Sequence, residues 1–130
     1  MSERFVGVDA GAVSVSAVEV DERGNIIAQA SQVHCGEPER ALQACLEQLP
    51  GGPPGRLAAT ISAPASLPAV LRVNNLVAAV RAARHRHPGL GALLLVGGEK
   101  FSLSLFAPDG RYLYSRYNTL CAAGTGSFLD

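Results

Sequence analysis

The sequence predicts an α/β fold built on a mixed sheet that starts with three antiparallel strands, in the order βββ-α-β-α-β-β-β. Three observations carry this. Residues 5–33 hold three apolar or alternating runs, separated only by turn signals. Two later stretches place apolar residues at helical spacing, and each is followed by a short strand-like run. Hydrophobic residues make up 48% of the 130 residues and charged residues 17%, enough apolar surface for a core and too little charge for disorder.

Phe5-Val6-Gly7-Val8-Asp9 is a short apolar run closed by a turn, as expected of a buried strand. Val13, Val15, Ala17, Val18 and Val20, interleaved with Ser14, Ser16 and Glu19, form a second strand. Asp21-Glu22-Arg23-Gly24-Asn25 is a polar turn, and Ile26 to about Val33 returns as a third strand. Glu37-Pro38-Glu39 opens a helix, with proline near the first position and acid in the first turn. Ala41, Leu42, Cys45, Leu46 and Leu49 are its sheet-facing stripe, and Pro50 to Gly55 ends it. Leu57 to Ala63 reads as a strand up to Pro64, and a second helix is expected from roughly Leu71 to Arg86, stopped by Pro88-Gly89. Leu93-Leu94-Leu95-Val96 reads as a short buried strand, and Phe101–Phe106 with Tyr112–Tyr117 as a hairpin. No internal repeat is visible in the sequence.

Eleven basic residues balance eleven acidic ones, and aromatics are few, so nothing marks a nucleic-acid surface. No signal peptide opens the chain and no apolar stretch approaches membrane-spanning length, so no membrane role is expected. Cys35, Cys45 and Cys121 are odd in number and irregularly spaced, which points to reduced thiols in a cytoplasmic protein. The last residues, Gly124 to Asp130, read as the first turn of a helix. Residues 1–130 are therefore expected to be an amino-terminal lobe of a longer protein.

Three segments carry possible chemistry. In Asp9-Ala10-Gly11 a glycine lets the backbone approach a phosphate, a carboxylate at the strand end suits Mg²⁺, and Ser14 adds a hydroxyl. An Asp-x-Gly turn is equally a common hairpin. Leu95-Val96-Gly97-Gly98-Glu99-Lys100 offers a second glycine turn at a strand end; a nucleotide could sit between two such turns, or this one is an ordinary turn. In Cys121-Ala122-Ala123-Gly124-Thr125-Gly126 a cysteine near a helix start favours the thiolate, a metal ligand, though a buried structural cysteine fits as well.

The opening hairpin Val6 to Gly11, the Gly97-Gly98 turn and above all Cys121 to Asp130 resemble the activases of 2-hydroxyacyl-CoA dehydratases and of benzoyl-CoA reductases, the BadF/BadG/BcrA/BcrD type of ATPase. That resemblance implies an actin/Hsp70/hexokinase-like (ribonuclease H-like) lobe. It implies ATP and Mg²⁺ as cofactors, and a [4Fe-4S] cluster held between the subunits of a dimer. The implied activity is ATP-driven electron transfer onto a dehydratase or reductase partner. Under it Asp9 positions Mg²⁺, Gly11, Ser14, Gly97, Gly98 and Glu99 line the nucleotide, and Cys121 is the first cluster cysteine. The second would lie beyond Asp130.

The departures are specific. Ala12 and Val13 stand where hydroxyl residues usually follow the hairpin glycine, and Leu95 and Lys100 replace aspartates around the second turn. This pattern resembles the first unit of large tandem activases, and it admits a degenerate repeat that serves as scaffold or pairing partner. A sugar or acyl kinase of the same fold class is a further alternative. Cys45 falls on an apolar helix stripe and reads as core; Cys35 reads as a plain thiol. The cluster of Arg81, Arg84, His85, Arg86 and His87 suits a helix end, and His34 and the three tyrosines receive no role.

Overall fold

The computed structural model describes residues 3–51, 56–97 and 101–118. The chain divides into two compact units, 1–75 and 76–130.

In the first unit, β1 (Phe5–Ala10), β2 (Ser14–Val20) and β3 (Ile26–Val33) form an antiparallel meander, followed by α1 (Pro38–Gln48), β4 (Arg56–Thr60) and β5 (Leu71–Val73). The sheet order is β3-β2-β1-β4-β5, with β4 parallel to β1 and β5 parallel to β4. Alternation decides the faces. Val6, Val8 and Ala10 point to the core, while Gly7 and Asp9 point the other way. Val15 and Ala17 on β2, Leu57 and Ala59 on β4 and Ala30 on β3 join the core face, and α1 covers it with Ala41, Leu42, Cys45 and Leu49. Leu42, 4% exposed, is worth about 2–3 kcal/mol by its burial. Helix α1 begins where the sequence predicts, with Pro38 in the first turn and Glu39 favoured by the dipole, and it stops at Leu49, whose N–H returns to the Leu46 carbonyl.

The second helix begins later than its spacing predicts. Leu71–Val73 is strand β5, and α2 runs Asn75–Arg86. Tertiary pairing overrides helical spacing here: Leu71, Arg72 and Val73 lie opposite Ala58, Ala59 and Thr60. Arg72 reinforces this by donating to the carbonyls of Ala63, Pro64 and Leu67 at 2.9–3.0 Å, which ties the loop back onto the strand. Strand β4 ends at Thr60 rather than running to Ala63, because Ala63 N–H closes a turn on the Thr60 carbonyl.

The second unit contains β6 (Ala92–Val96), β7 (Phe101–Phe106) and β8 (Tyr112–Asn118), a separate three-stranded antiparallel sheet rather than an extension of the first. Against expectation β6 is not a buried strand: Leu94 is 55% and Val96 75% exposed.

Each unit carries the same meander, a repeat the sequence hides. Val6↔Glu19 becomes Ala92↔Leu105, Val8↔Ala17 becomes Leu94↔Leu103, and Ala10↔Val15 becomes Val96↔Phe101, a constant shift of 86 residues. The second hairpin keeps the shift through its bulge, since Ile27 is the extra residue between Glu19↔Ala28 and Val20↔Ile26, and Leu113 between Leu105↔Tyr114 and Phe106↔Tyr112. Even the turns match. Gly24 N–H meets the Asp21 carbonyl as Gly110 N–H meets that of Ala107, and both glycines have left-handed φ, 83° and 89°. At this shift Gly11 falls on Gly97, Ser16 on Ser102, Gly24 on Gly110 and Cys35 on Cys121, but no other residue of the sequence agrees.

Candidate functional site

Strand β1 delivers Asp9 to the sheet face opposite α1, at the strand end, where its side chain is exposed. Its neighbours across the sheet are polar. Asp9 pairs with Ser16, and Ser16 Oγ lies 3.1 Å from Ser31 Oγ on β3. Ser14 shares the parity of Ser16 and so presents its hydroxyl on the same face.

The carboxylate is held from the other side by β4. Thr60, 6% exposed, donates its hydroxyl to Asp9 Oδ1 at 2.9 Å, and the Ala10 N–H reaches Thr60 Oγ1 at 3.4 Å. Ser62 donates to the Ala10 carbonyl at 2.6 Å, and Asn75 Nδ2 donates to Ser62 Oγ at 2.9 Å. Each hydroxyl carries one proton, and these bonds use both. The 3.1 Å contact between Thr60 and Ser62 therefore has no proton of its own. Thr60, bonded to Asp9 and to the Ala10 N–H, and Ser62, held by Asn75 and bonded to the Ala10 carbonyl, together fix the end of β1, and among the described residues nothing donates to Asp9 Oδ2.

The turn after Asp9 is arranged differently from its sequence reading. Gly11 N–H already donates to the Ser14 carbonyl at 2.8 Å, so that amide is engaged within the hairpin. A Cβ at Gly11 would sit 3.4 Å from Ser14 O, and Gly11 does not have left-handed φ. What glycine provides here is open approach rather than a special conformation. The loop between β3 and α1 lies alongside: His34 Nε2 is 3.1 Å from the Gly11 carbonyl, and His34 N–H donates to the Val13 carbonyl at 3.0 Å.

Asp9, Gly11 and Ser14 thus come together at one end of the first sheet. Gly97 follows β6 in the second unit, where the repeat places it on Gly11 and places Leu95 on Asp9. Gly98, Glu99 and Cys121 lie outside the described residues. Cys45 is fully buried, with Sγ 3.8 Å from the Val15 carbonyl, and burial pushes its thiol pKa up, as suits a core residue. Cys35 is exposed. Arg84, in the basic end of α2, stacks 4.8 Å over the Phe106 ring. Among the described residues no three His, Cys, Asp or Glu side chains converge as a metal site. Sequence reasoning passed over Thr60, Ser62, Asn75 and His34. A threonine and a serine two apart after an apolar run was the available signal, but its meaning depends on β4 lying beside β1.

No protein-family model matches the chain, and no curated protein matches it in sequence. Solved structures match it along nearly all its length. The activator of the 2-hydroxyisocaproyl-CoA dehydratase from Clostridium difficile, solved with bound ADPNP, is 23% identical at a TM-score of 0.75, covering 100% of this chain and 50% of that one. Component A of the (R)-2-hydroxyglutaryl-CoA dehydratase from Acidaminococcus fermentans is 22% identical at 0.75, covering 99% and 52%. The ethanolamine utilization protein EutJ from Carboxydothermus hydrogenoformans is 19% identical at 0.66, covering 95% and 57%. The chain thus spans about half the length of these structures. It has the actin/Hsp70-like α/β fold that they share.

Proposed function

We propose that residues 1–130 are the amino-terminal nucleotide-binding part of an ATP-dependent activase. In this reading the whole protein couples ATP hydrolysis to electron transfer through a [4Fe-4S] cluster. The acceptor is a 2-hydroxyacyl-CoA dehydratase or benzoyl-CoA reductase-type partner in the cytoplasm, and the protein works as a dimer or tandem pair. One observation carries the reading: a carboxylate, Asp9, is clamped by Thr60 at the end of β1 beside an exposed turn, in a fold matched over its whole length by an activator that binds ADPNP.

Mg²⁺, when bound, supplies positive charge that neutralises phosphate oxygens. Asp9 fits such an ion, since Oδ1 is engaged by Thr60 and Oδ2 stays open for the cation or its waters. Ser14 adds a hydroxyl on the same face, and the bare Cα of Gly11 lets a phosphate approach the backbone. Gly97, Gly98 and Glu99 are assigned to the nucleotide and Cys121 to the cluster by the sequence resemblance. Cys45, buried against a backbone carbonyl, does not suit a cluster. A single cysteine cannot hold a cluster, so in this reading the remaining ligands come from elsewhere in the assembly.

A second reading, a degenerate unit that scaffolds a competent sibling, is favoured by one feature. The repeat puts Leu95 where Asp9 stands, so the second turn has no carboxylate at the position that matches Asp9. Titrating the intact parent with a fluorescent ATP analogue, with and without Asp9→Ala, separates the two. Magnesium-dependent binding lost in the variant is the expected result, and a wild type that ignores nucleotide establishes the scaffold. Iron and sulfide analysis after anaerobic purification tests Cys121→Ala, and an unchanged cluster removes Cys121 from the ligand set.

A further inference from the structure

The loop between β3 and α1 makes a contact that the activase reading does not use. His34 Nε2 stands 3.1 Å from the Gly11 carbonyl oxygen, and its Nδ1 stands 3.1 Å from the Gly36 nitrogen. A carbonyl only accepts and a backbone amide only donates. A single state satisfies both contacts, the neutral imidazole with its proton on Nε2. The backbone pays for this placement with two left-handed residues in succession, Cys35 at φ 48° and Gly36 at φ 82°. For a non-glycine residue such as Cys35 that conformation is unfavourable, because its Cβ crowds the backbone. The turn they make brings the Gly36 N–H back to the ring two residues earlier.

The consequence lies in the peptide between Gly11 and Ala12. A trans peptide is planar, so its carbonyl and its N–H point in opposite directions. Anchoring the Gly11 oxygen on His34 therefore aims the Ala12 N–H away from the His34 loop. The Gly11 N–H is already spent on Ser14, and among the described residues nothing accepts from the Ala12 N–H. Ala12, with no hydroxyl of its own, still offers that amide.

We propose that His34 is the positioning residue of this turn: by holding the Gly11 carbonyl it presents the Ala12 amide to a phosphate oxygen of the nucleotide. The proposal rests on the nucleotide-binding reading above. In this role His34 acts through its bonds to Gly11 and Gly36, on the geometry of the donor.

Two variants of the intact protein split the two ring contacts. In His34→Gln the amide nitrogen takes the place of Nε2, keeping the bond to Gly11 and losing that to Gly36. In His34→Asn the amide oxygen takes the place of Nδ1, keeping Gly36 and stopping short of Gly11. Titrated with mant-ATP and Mg²⁺, His34→Asn should lose affinity on the order of tenfold, about one hydrogen bond, while His34→Gln stays near wild type. If His34 only shapes its own loop, the ranking reverses, and that result overturns the proposal. Ring ¹⁵N NMR gives a readout without nucleotide: the Nε2–H tautomer is expected, and an Nδ1–H tautomer refutes the clamp. Asp9→Ala serves as the control. A wild type that binds no mant-ATP while keeping the Nε2–H tautomer shows that the nucleotide reading failed, and this role with it, although the clamp is real.

Discussion

Thr60→Val is the most informative single change, because it removes one hydroxyl and keeps the side chain's shape. The hydroxyl does two things: it donates to Asp9 Oδ1 and accepts from the Ala10 N–H. A hydrogen bond to a charged group is worth about 1.5–3 kcal/mol, but Asp9 is exposed and water replaces part of the loss, so the lower end applies. The Ala10 N–H contact is long, at 3.4 Å, yet Ala10 is only 4% exposed, and an unsatisfied amide there costs about 1 kcal/mol. Against this, the added methyl gains about 0.8 kcal/mol by burial at a site 6% exposed. The net expectation is a loss of roughly 1–2 kcal/mol. Urea unfolding followed by far-UV circular dichroism reads it as a lower midpoint at unchanged slope. The three tyrosines all lie on β8 and the chain has no tryptophan, so intrinsic fluorescence would report on the second unit instead. Magnesium-dependent mant-ATP binding should weaken in parallel, and Thr60→Ser should restore both. A Thr60→Val protein with wild-type midpoint and affinity would refute the claim that Thr60 orients Asp9.

Three further outcomes are expected. Val8→Ala should cost about 2 kcal/mol and Leu94→Ala well under 1 kcal/mol in chemical denaturation, although the repeat makes the two positions equivalent, because one is 4% and the other 55% exposed; equal costs would show that the face of the second sheet is covered. Arg4 donates to Glu19 and holds its carboxyl below the ordinary value of 4.5, so the unfolded chain binds a proton more readily. The resulting stability is full above pH 4.5 and fades as pH falls through the lower folded pKa, so Glu19→Gln should flatten the acid limb of a stability–pH curve; an unchanged limb would remove Glu19 from that role. Mass-mapped thiol labelling of the native protein should modify Cys35 quickly and Cys45 only after unfolding, and fast labelling of Cys45 would contradict its burial.

What the sequence determined by itself was whatever depends on neighbours in the chain. Short apolar or alternating runs separated by turn signals set β1, β2 and β3, while the faces they bury came from the packing. Pro38 and the stripe from Ala41 to Leu49 set α1 and made Cys45 a core residue. The turn at Gly24 and the hairpin of β7 and β8 were legible for the same reason, since turn chemistry is local. The tertiary structure decided everything that depends on contact across the chain. Leu71–Val73 has a helix-like spacing, yet the open edge of β4 and the reach of Arg72 make it a strand. Leu93 to Val96 is apolar enough to be core, but whether a strand is covered depends on what packs on it, and a run of leucines cannot say. The site divides along the same line. Asp9, Gly11 and Ser14 could be read from one hairpin, while Thr60 and His34 join it because parallel pairing and a left-handed loop carry them about 50 and 23 residues through the sequence to that hairpin. The repeat of 86 residues hid for a related reason: hydrogen-bond register conserves backbone geometry, and only positions that geometry constrains, such as Gly24 and Gly110, had to keep their residue.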